Sequence, residues 1–386
     1  MRLEIYGSLL DSSGYSQHCR FLTNALFQYH DDINLNVLLP QGWESLVNEK
    51  EIQMLNKPPV KDFDALFIGQ PPAWRFVLSN KPRKFFGYVI FEGDKIPKYW
   101  VDHLINPMVD GIIVPSQHVK DAIIKTAKDF DRSVLEIPGG MPKAGEKKIG
   151  KFITYDELME RDVHVIPHGV DLNIFKEEPI AHDKFTFLSN KGWRGGENDR
   201  GGVQFLFRAF VEEFTEKDNV RLLCHLNPAY PCDIQTELNK LNLRQTDVPE
   251  VLINNKPMTY KELNDFYNNG DVYVSPTRAE AFNIPIAEAS ACGIPSIVTG
   301  YGGQCDIVKD GINGLYIDYK LEPVTFDINY EGVEWATPNI EDLRKKLRWA
   351  YENQDRVKEM GHKAKEMIQD FTWDNSAKLL LELIEK

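Results

Sequence analysis

Two successive series of short apolar segments, each alternating with helix-like segments, are the feature that most restricts the fold of this chain. The predicted strands of the first series are residues 3–7, 35–39, 65–69, 85–91 and 111–115. A second series of the same kind begins with a predicted strand at 185–189 and ends with one at 314–317. Such alternation is typical of parallel sheets with helices on both faces. We therefore predict an α/β protein with two doubly wound halves and a ligand site in the crevice between them.

Composition and charge exclude several classes of protein. The 386 residues suffice for two ordinary domains, and the 42% of hydrophobic residues suffice for packed cores. No run approaches the roughly 18 apolar residues of a membrane-spanning helix, and the first residues lack the features of a signal peptide, so we expect a cytoplasmic protein. A net charge of −13 argues against nucleic-acid binding and allows at most peripheral membrane contact. The five cysteines show no Cys-x-x-Cys pair and are expected to be buried free thiols.

Residues 272–303 form the most informative segment. A predicted strand at 272–276 is followed by a polar turn that ends at Glu280, and a helix begins near Pro285 and ends before Gly293. Proline suits the first turn of a helix, and glycine commonly follows its end. A helix start at the crevice offers free backbone N–H groups and the positive end of a dipole to an anion. The segment therefore predicts a seat for a diphosphate.

Two glutamates flank this helix start. Glu288 lies about one turn into the helix, within reach of a ribose whose phosphates rest on the helix start. Glu280 precedes the helix and can either stabilise positive charge near an anomeric carbon or orient sugar hydroxyls. Isolated pairs of glutamates are most often solvated surface residues. Here the strand, turn and helix around them favour a functional role.

The segment from Arg278 to Pro295 resembles the Glu-x7-Glu signature of retaining glycosyltransferases of family 4; it reads Arg-Ala-Glu-Ala-Phe-Asn-Ile-Pro-Ile-Ala-Glu-Ala-Ser-Ala-Cys-Gly-Ile-Pro. Residues 165–171 resemble the interdomain turn of that family, and residues 301–314 resemble its glycine-rich loop. Residues 114–119 resemble a strand end and helix start of its N-terminal domain. The resemblance covers nearly the whole chain and implies the GT-B fold.

In that fold, two Rossmann-like domains face each other across a cleft. The resemblance implies an acceptor-side domain at 1–170 and a nucleotide-sugar-binding domain at 171–372. A last helix at 373–386 is expected to pack back on the first domain. His118 and His168 are expected to be structural or solvent-facing.

The resemblance also implies site residues. Glu280 and Arg200 are the expected catalytic residues, and the expected donor-binding residues are Gly14, Lys191, Arg194, Arg200, Phe282, Asn283, Ile284 and Glu288. Residues 191–202 contain three cations and five glycines, which suits a phosphate-binding loop, although a flexible basic surface loop is the alternative. Arg200 and Gly201 stand where relatives carry a Lys-Gly pair. Either Lys191 or Arg194 supplies the second cation.

The sequence departs from the family pattern at two places. Many relatives carry a histidine that faces the acceptor after the strand ending near residue 91, and here Glu92 or Asp94 takes that place. Asn283 stands where glycine is usual, and its side chain either occupies space near the donor sugar or caps the helix, with capping favoured. Insertions at 133–162 and 318–338 either shape an acceptor site or are tolerated surface loops.

The implied reaction is the transfer of a hexose from a UDP- or GDP-linked sugar, such as GDP-mannose, to an acceptor hydroxyl with retention of configuration. The acceptor class stays open among a saccharide, a lipid-linked molecule and a protein. No Asp-x-Asp cluster occurs in a suitable place, so we expect no metal and no cofactor. The helix start and the basic side chains would then offset the charge of the leaving group.

Three other readings are compatible with part of this pattern. A different GT-B enzyme, such as a sugar-nucleotide epimerase, would share the architecture, but the Glu-x7-Glu spacing argues against it. A catalytically silent sugar-nucleotide-binding protein is the alternative that is not an enzyme. A dinucleotide-dependent oxidoreductase would need a Gly-x-Gly-x-x-Gly fingerprint after the first strand, and the sequence has none.

Overall fold

The computed structural model describes residues 1–8, 13–37, 55, 57–58, 60–128, 163–196, 198–228, 230, 232–327 and 330–386. Their strands are β1 (Arg2–Gly7), β2 (Ile33–Val37), β3 (Phe63–Ile68), β4 (Lys84–Tyr88), β5 (Gly111–Val114), β6 (Val163–Val165), β7 (Phe185–Lys191), β8 (Val220–Leu226), β9 (Glu250–Asn254), β10 (Val272–Ser275), β11 (Ser296–Thr299), β12 (Gly314–Ile317), β13 (Tyr319–Pro323) and β14 (Glu334–Pro338). Their α-helices are α1 (Gly14–Leu26), α2 (Arg75–Leu78), α3 (Val101–Leu104), α4 (Gln117–Lys128), α5 (Val203–Glu213), α6 (Ile234–Lys240), α7 (Tyr260–Asn268), α8 (Ile284–Ala291), α9 (Gln304–Ile307), α10 (Ile340–Glu352), α11 (Gln354–Met367) and α12 (Trp373–Glu385).

Two six-stranded parallel sheets confirm the predicted fold class. The N-terminal sheet has the order β2-β1-β3-β4-β5-β6, and the C-terminal sheet has the order β12-β11-β10-β7-β8-β9. The second order is that of dinucleotide-binding domains, in which the strand order reverses between the first and fourth strands. In this chain the reversal lies between β7 and β10. Ligands of such sheets bind beyond the carboxyl ends of the strands at this point.

Several element boundaries differ from the sequence prediction for local reasons. Strand β2 begins at Ile33, two residues before its predicted start, because it pairs with the full length of β1 from Leu3 onward. Helix α6 begins at Ile234 and not at residue 231, since the Asp233 side chain accepts a 3.2 Å hydrogen bond from the Thr236 backbone N–H. A capping aspartate of this kind fixes the first turn of a helix.

The chain crosses between the two sheets twice, along adjacent paths. Residues 166–184 lead from β6 to β7, and the return passes Thr372, which forms a parallel β-bridge with Val170. Helix α12 then packs against α1, with Trp373 stacked on Phe21 at 5.9 Å between ring centres. The Ser376 hydroxyl donates a 2.6 Å hydrogen bond to the Pro167 carbonyl. The last helix therefore holds both crossing segments.

The insertion at 318–338 contains the antiparallel hairpin β13–β14, of which residues 328–329 lie outside the description. The insertion at 133–162 falls entirely outside the described residues. All five cysteines are free thiols, as expected; Cys19, Cys224 and Cys292 are buried, and the other two are partly exposed. Of the helices described, none has both the length and the apolar character needed to cross a membrane.

Candidate active site

The loops that follow β7 and β10 meet at the point where the strand order reverses. The Arg278 backbone N–H donates a 2.9 Å hydrogen bond to the Arg200 carbonyl. Gly202, with φ at +76°, lies so close to the second loop that a Cβ there would be 1.9 Å from the Pro276 carbonyl oxygen. No other residue fits this contact, because side chains rarely adopt that φ and the space is filled. The glycines of the 191–202 loop thus bring its cations onto the Glu280 turn.

Glu280 is the centre of the resulting ion cluster. Lys191 Nζ donates a 3.0 Å hydrogen bond to Glu280 Oε1, and Arg200 Nη1 donates one of 3.2 Å to Oε2. Burial by itself raises the pKa of the Glu280 carboxyl, but the two cations outweigh burial and hold that pKa below its usual range. Glu280 is therefore an ionised carboxylate with a fixed orientation.

The two cations at Glu280 differ in exposure. The Lys191 side chain is 7% exposed, and burial lowers its pKa against the opposing effect of Glu280. The Arg200 side chain is 34% exposed and also donates a 2.7 Å hydrogen bond to the Ala279 carbonyl. Burial acts to lower the Arg200 pKa, but the carboxylates of Glu92 and Glu280 raise it overall. Arg200 is thus the cation that stays open to the cleft.

Lys191, and not Arg194, supplies the second cation at Glu280. The Arg194 guanidinium lies over the ring of Tyr230, 5.1 Å from its centre. The Arg194 backbone N–H donates a 2.9 Å hydrogen bond to Asp199, which also accepts one of 2.8 Å from Gly201. Asp199 therefore holds the shape of the loop, and Arg194 lies on its outer part.

Asn283 does not cap helix α8 with its side chain, so the expectation of capping was wrong. Its φ of 80° places it in the left-handed region, and its side chain makes no capping hydrogen bond. Asn283 Oδ1 accepts a 2.8 Å hydrogen bond from Lys191, and Nδ2 donates to Ser275 at 3.0 Å and Gln304 at 2.8 Å. Asparagine tolerates the left-handed backbone that glycine would adopt here. Its amide thereby links β10, α9 and the ion cluster.

The residues next to Asn283 lie inside the protein. The side chains of Phe282 and Ile284 are 1% and 6% exposed and belong to the core. The Gly303 backbone N–H donates a 2.8 Å hydrogen bond to the Glu280 carbonyl, and a Cβ on Gly303 would lie 1.9 Å from the Ala281 carbonyl oxygen. The glycine-rich loop thus packs directly on the Glu280 turn.

Glu288 is buried between the two domains. Tyr267 donates a 2.7 Å hydrogen bond to Glu288 Oε2, and Gln17, from helix α1 of the other domain, donates one of 2.7 Å to Oε1. Burial raises the Glu288 pKa, and these two hydrogen bonds partly oppose that rise. Gly14, the first residue of α1, is exposed, and a Cβ there would meet no atom within 4 Å. The first turn of α1 therefore lies at the cleft opposite α8.

The structure separates the two acceptor-side candidates. Glu92 Oε1 lies 3.7 Å from Arg200 Nη2, and Glu92 Oε2 accepts a 3.3 Å hydrogen bond from the hydroxyl of Tyr330. Asp94 is buried, pairs with Lys125 and accepts a 2.7 Å hydrogen bond from the Glu334 backbone N–H. Glu92 belongs to the ion cluster, whereas Asp94 connects the two domains.

Sequence reasoning missed several residues of the site. Gln17 and Tyr330 reach it from other elements, and no local motif marks them. Tyr267 is part of a buried chain in which its hydroxyl accepts a 3.0 Å hydrogen bond from Asn190, whose amide oxygen lies 2.9 Å from His225 Nδ1. The only available signal was the position of Asn190 directly after the predicted strand at 185–189.

His168 is structural, in line with one of the two roles expected for it. Its side chain is 4% exposed and packs against Phe282 and Trp373 at 5.1 and 5.9 Å between ring centres. Neither ring nitrogen has a hydrogen-bond partner among the described residues. Burial lowers the pKa of His168 to about 3. His118 is half-buried, with its ring against that of Tyr301.

Comparisons of the sequence find similarity to glycosyltransferases. Residues 193–326 match the family described as glycosyl transferases group 1. The D-inositol 3-phosphate glycosyltransferase of Arthrobacter sp. (strain FB24) is 25% identical over 229 residues, which cover 57% of this chain and 49% of that protein. The chain thus spans about half the length of this curated relative.

Solved structures that superpose on this chain share its GT-B fold. HepE of Anabaena, determined in complex with UDP and glucose, superposes with a TM-score of 0.65 at 15% sequence identity and covers 100% of this chain and 99% of its own. The sucrose-phosphate synthase of Thermosynechococcus elongatus superposes with a TM-score of 0.66 at 13% identity, covering 100% of this chain and 98% of its own. At these identities the likeness concerns the fold.

Proposed function

We propose that this chain is a retaining glycosyltransferase that moves a hexose from a nucleoside diphosphate sugar to an acceptor hydroxyl without a metal ion. The observation that carries the proposal is the ion cluster, in which Lys191 and Arg200 hold Glu280 ionised. The cluster lies where the strand order of the C-terminal sheet reverses, between β7 and β10. The match to group 1 glycosyltransferases, which includes Arg200 and Glu280, supports it.

The two cations have separate tasks in this proposal. Lys191 is buried and bonds both Glu280 and Asn283, so it positions the carboxylate and the start of α8. Arg200 is the more exposed cation, and its guanidinium can form paired hydrogen bonds with phosphate oxygens. Arg200 therefore binds the donor diphosphate, while Glu280 faces the sugar.

In the reaction, the bond between the anomeric carbon and the diphosphate breaks, and a bond from that carbon to the acceptor oxygen forms. The acceptor hydroxyl loses its proton to solvent, and the nucleoside diphosphate leaves with the negative charge. Arg200 stabilises that charge as a fixed cation, and the start of α8 stabilises it through the helix dipole. Glu280 stabilises the positive charge that develops on the sugar or orients its hydroxyls. Glu288 and the first turn of α1, with Gly14, line the donor site from opposite sides of the cleft.

The donor is identified by thermal unfolding of the protein with UDP, GDP and a panel of their sugar conjugates. A ligand that binds only the folded protein raises its apparent stability, so the correct base and sugar give the largest shift. Donor hydrolysis and transfer are then measured with and without EDTA, and equal rates are expected. No turnover with any donor and acceptor would favour a silent sugar-nucleotide-binding protein, and loss of turnover in EDTA would contradict metal independence.

Two variants test the site residues. Arg200→Ala is expected to weaken donor binding about tenfold to a hundredfold, because charge-assisted hydrogen bonds to phosphate are lost. Glu280→Ala is expected to abolish transfer. The matched control is Arg356→Ala, since Arg356 is an exposed arginine on α11 that pairs with Glu359. Unchanged donor affinity in Arg200→Ala contradicts the phosphate role.

A further inference from the structure

The two signature glutamates differ in what neutralises them. Glu280 touches two cations, Lys191 and Arg200. Among the residues described, the side-chain oxygens of Glu288 accept hydrogen bonds only from the neutral groups of Gln17 and Tyr267. A buried carboxylate without a counter-charge is costly. The charge of Glu288 therefore depends on what lies behind these two neutral donors.

The hydrogen bonds that continue from Tyr267 have a fixed direction. A tyrosine hydroxyl has one proton, and that of Tyr267 goes to Glu288. Tyr267 can therefore only accept from Asn190, whose Nδ2 lies 3.0 Å from the hydroxyl oxygen. The amide oxygen of Asn190 then faces Nδ1 of His225 at 2.9 Å. Nδ1 of His225 must accordingly carry a proton.

The second ring nitrogen of His225 also faces an acceptor. Nε2 lies 3.0 Å from the carbonyl oxygen of Lys256. A neutral imidazole has one N–H group and one lone pair, so it satisfies only one of these two acceptors, whereas an imidazolium satisfies both. His225 is 6% exposed, and burial lowers its pKa against the opposing effect of the Lys256 carbonyl. A protonated His225 therefore needs a counter-charge.

The groups that face His225 from neighbouring elements are neutral in the part of the chain that the structure describes. Burial raises the pKa of the Cys224 thiol, and it raises that of Tyr273, whose hydroxyl donates to the Asn190 carbonyl. The Lys256 side chain is exposed to solvent. The residues without a titratable group are Asn190 on β7, Asn254 on β9 and Phe266 on α7. Glu288, at the other end of the hydrogen-bonded chain, is the ion that matches His225.

We propose that His225, as an imidazolium, is a positioning residue for donor binding, and that it acts through Asn190 and Tyr267 to keep Glu288 an ionised acceptor of ribose hydroxyls; this role rests on the function proposed above. A carbonyl cannot become a donor but an amide can turn over, so the proton that His225 loses is the one on Nδ1. The Asn190 amide then rotates by half a turn, and Tyr267 donates to its oxygen and no longer to Glu288. Donor affinity therefore falls as the pH rises through the pKa of His225.

NMR spectra of the protein with isotope-labelled histidine test the charge link without a donor. The His225 signals are assigned from their loss in His225→Gln. Glu288→Gln is expected to lower the pKa of His225 by about one unit, because the amide keeps the shape of the side chain but removes its charge. His362, exposed on α11, is the control in the same spectra and should not shift. Equal pKa values of His225 in Glu288→Gln and in the unmodified protein overturn the proposal.

The pH dependence of donor binding tests the positioning role. Isothermal titration between about pH 5 and 8 uses the nucleotide sugar found in the thermal screen, because its diphosphate has no proton to lose in this range. The affinity of the unmodified protein should fall about threefold to tenfold as His225 loses its proton, the effect of one hydrogen bond to a charged group.

Two variants remove this response if His225 acts through the chain. His225→Gln carries no charge, and Tyr267→Phe breaks the link but leaves His225 in place. Both should bind the donor more weakly than the unmodified protein at the acid end of the range, with a flat profile across it. A profile in either variant that matches that of the unmodified protein overturns the assignment.

These outcomes separate the two proposals. If the chain is not a glycosyltransferase, no nucleotide sugar binds, but Glu288→Gln still lowers the pKa of His225. If only the role of His225 is wrong, the donor is bound and turned over, but the pKa of His225 is the same in Glu288→Gln. Thermal unfolding of each variant without ligand shows whether a change in affinity reflects loss of folding.

Discussion

Gln17 Nε2 donates a 2.7 Å hydrogen bond to Glu288 Oε1 and so joins the first helix of one domain to the second glutamate of the signature in the other. Glu288 is 2% exposed, and its other oxygen is held by Tyr267. A ribose that hydrogen-bonds Glu288 must therefore share or replace the contact with Gln17. In the proposed site, this one carboxylate would link donor binding to the contact between α1 and α8.

Glu288→Gln is expected to weaken donor binding at least about tenfold, because a neutral amide accepts hydrogen bonds less strongly than a carboxylate and its NH2 group would face donors. Isothermal titration with the donor nucleotide measures the change. Glu382→Gln, at an exposed position of α12, is the control. Equal affinities of the Glu288→Gln variant and the unmodified protein would contradict a role for Glu288 at the donor.

The pair Lys191–Glu280 is expected to be energetically coupled. Because both side chains are largely buried, a double-mutant cycle with Lys191→Met and Glu280→Gln should give a coupling free energy of unfolding of about 1–3 kcal/mol. The exposed pair Lys363–Glu366, treated in the same way, should give less than about 1 kcal/mol. Urea unfolding of the unmodified protein, the four single variants and the two double variants measures both cycles. Equal coupling in the two pairs would show that the cluster does not hold Glu280.

Two substitutions at Asn283 separate the effect of its side chain from that of its backbone. Asn283→Gly and Asn283→Ala both remove the hydrogen bonds to Lys191, Ser275 and Gln304, so both are expected to destabilise the fold by about 1–3 kcal/mol. Alanine should cost about 1 kcal/mol more than glycine, because φ is 80° at this position. Chemical denaturation measures both. Equal stabilities of the two variants would exclude a backbone contribution.

His168 is expected to contribute to destabilisation by acid. Its pKa is lowered to about 3 in the folded protein from about 6.5 in the unfolded chain, so the unfolded state binds one more proton between these values. Stability is therefore lost as the pH falls below 6.5, by about 2 kcal/mol between pH 7 and pH 5. His168→Phe should remove this part of the pH dependence, measured by urea unfolding at pH 7, 6 and 5. His362→Gln, at an exposed position of α11, serves as the control and should retain it.

The fold could be predicted from the sequence because each parallel strand is a short apolar run flanked by turn signals. Both ends of α8 were also predictable, since Pro285 marks its start and Gly293 marks its end. The function of the Asn283 side chain was not predictable in this way. A capping role is the local expectation for asparagine before a helix, but Lys191 and Gln304, which are distant in sequence, provide stronger partners in the folded protein.

The contacts across the cleft were also not predictable from local sequence. Gln17 and Tyr330 carry no motif, and each acquires its place only when the two domains meet. The resemblance drew attention to Glu92, but its hydrogen bond from Tyr330 on the hairpin could not be inferred from spacing. Contacts between residues far apart in the chain depend on how the domains pack, which a single sequence does not encode locally.

The bridge between Val170 and Thr372 has a mechanical consequence. Two domains joined by one strand can rotate about several axes, whereas two adjacent crossings leave a single axis that runs through both. The cleft would then open and close by rotation about that one axis, and each closure would bring Glu92 back to Arg200. A truncation before Thr372 would remove the second crossing and, with it, the restriction to one path.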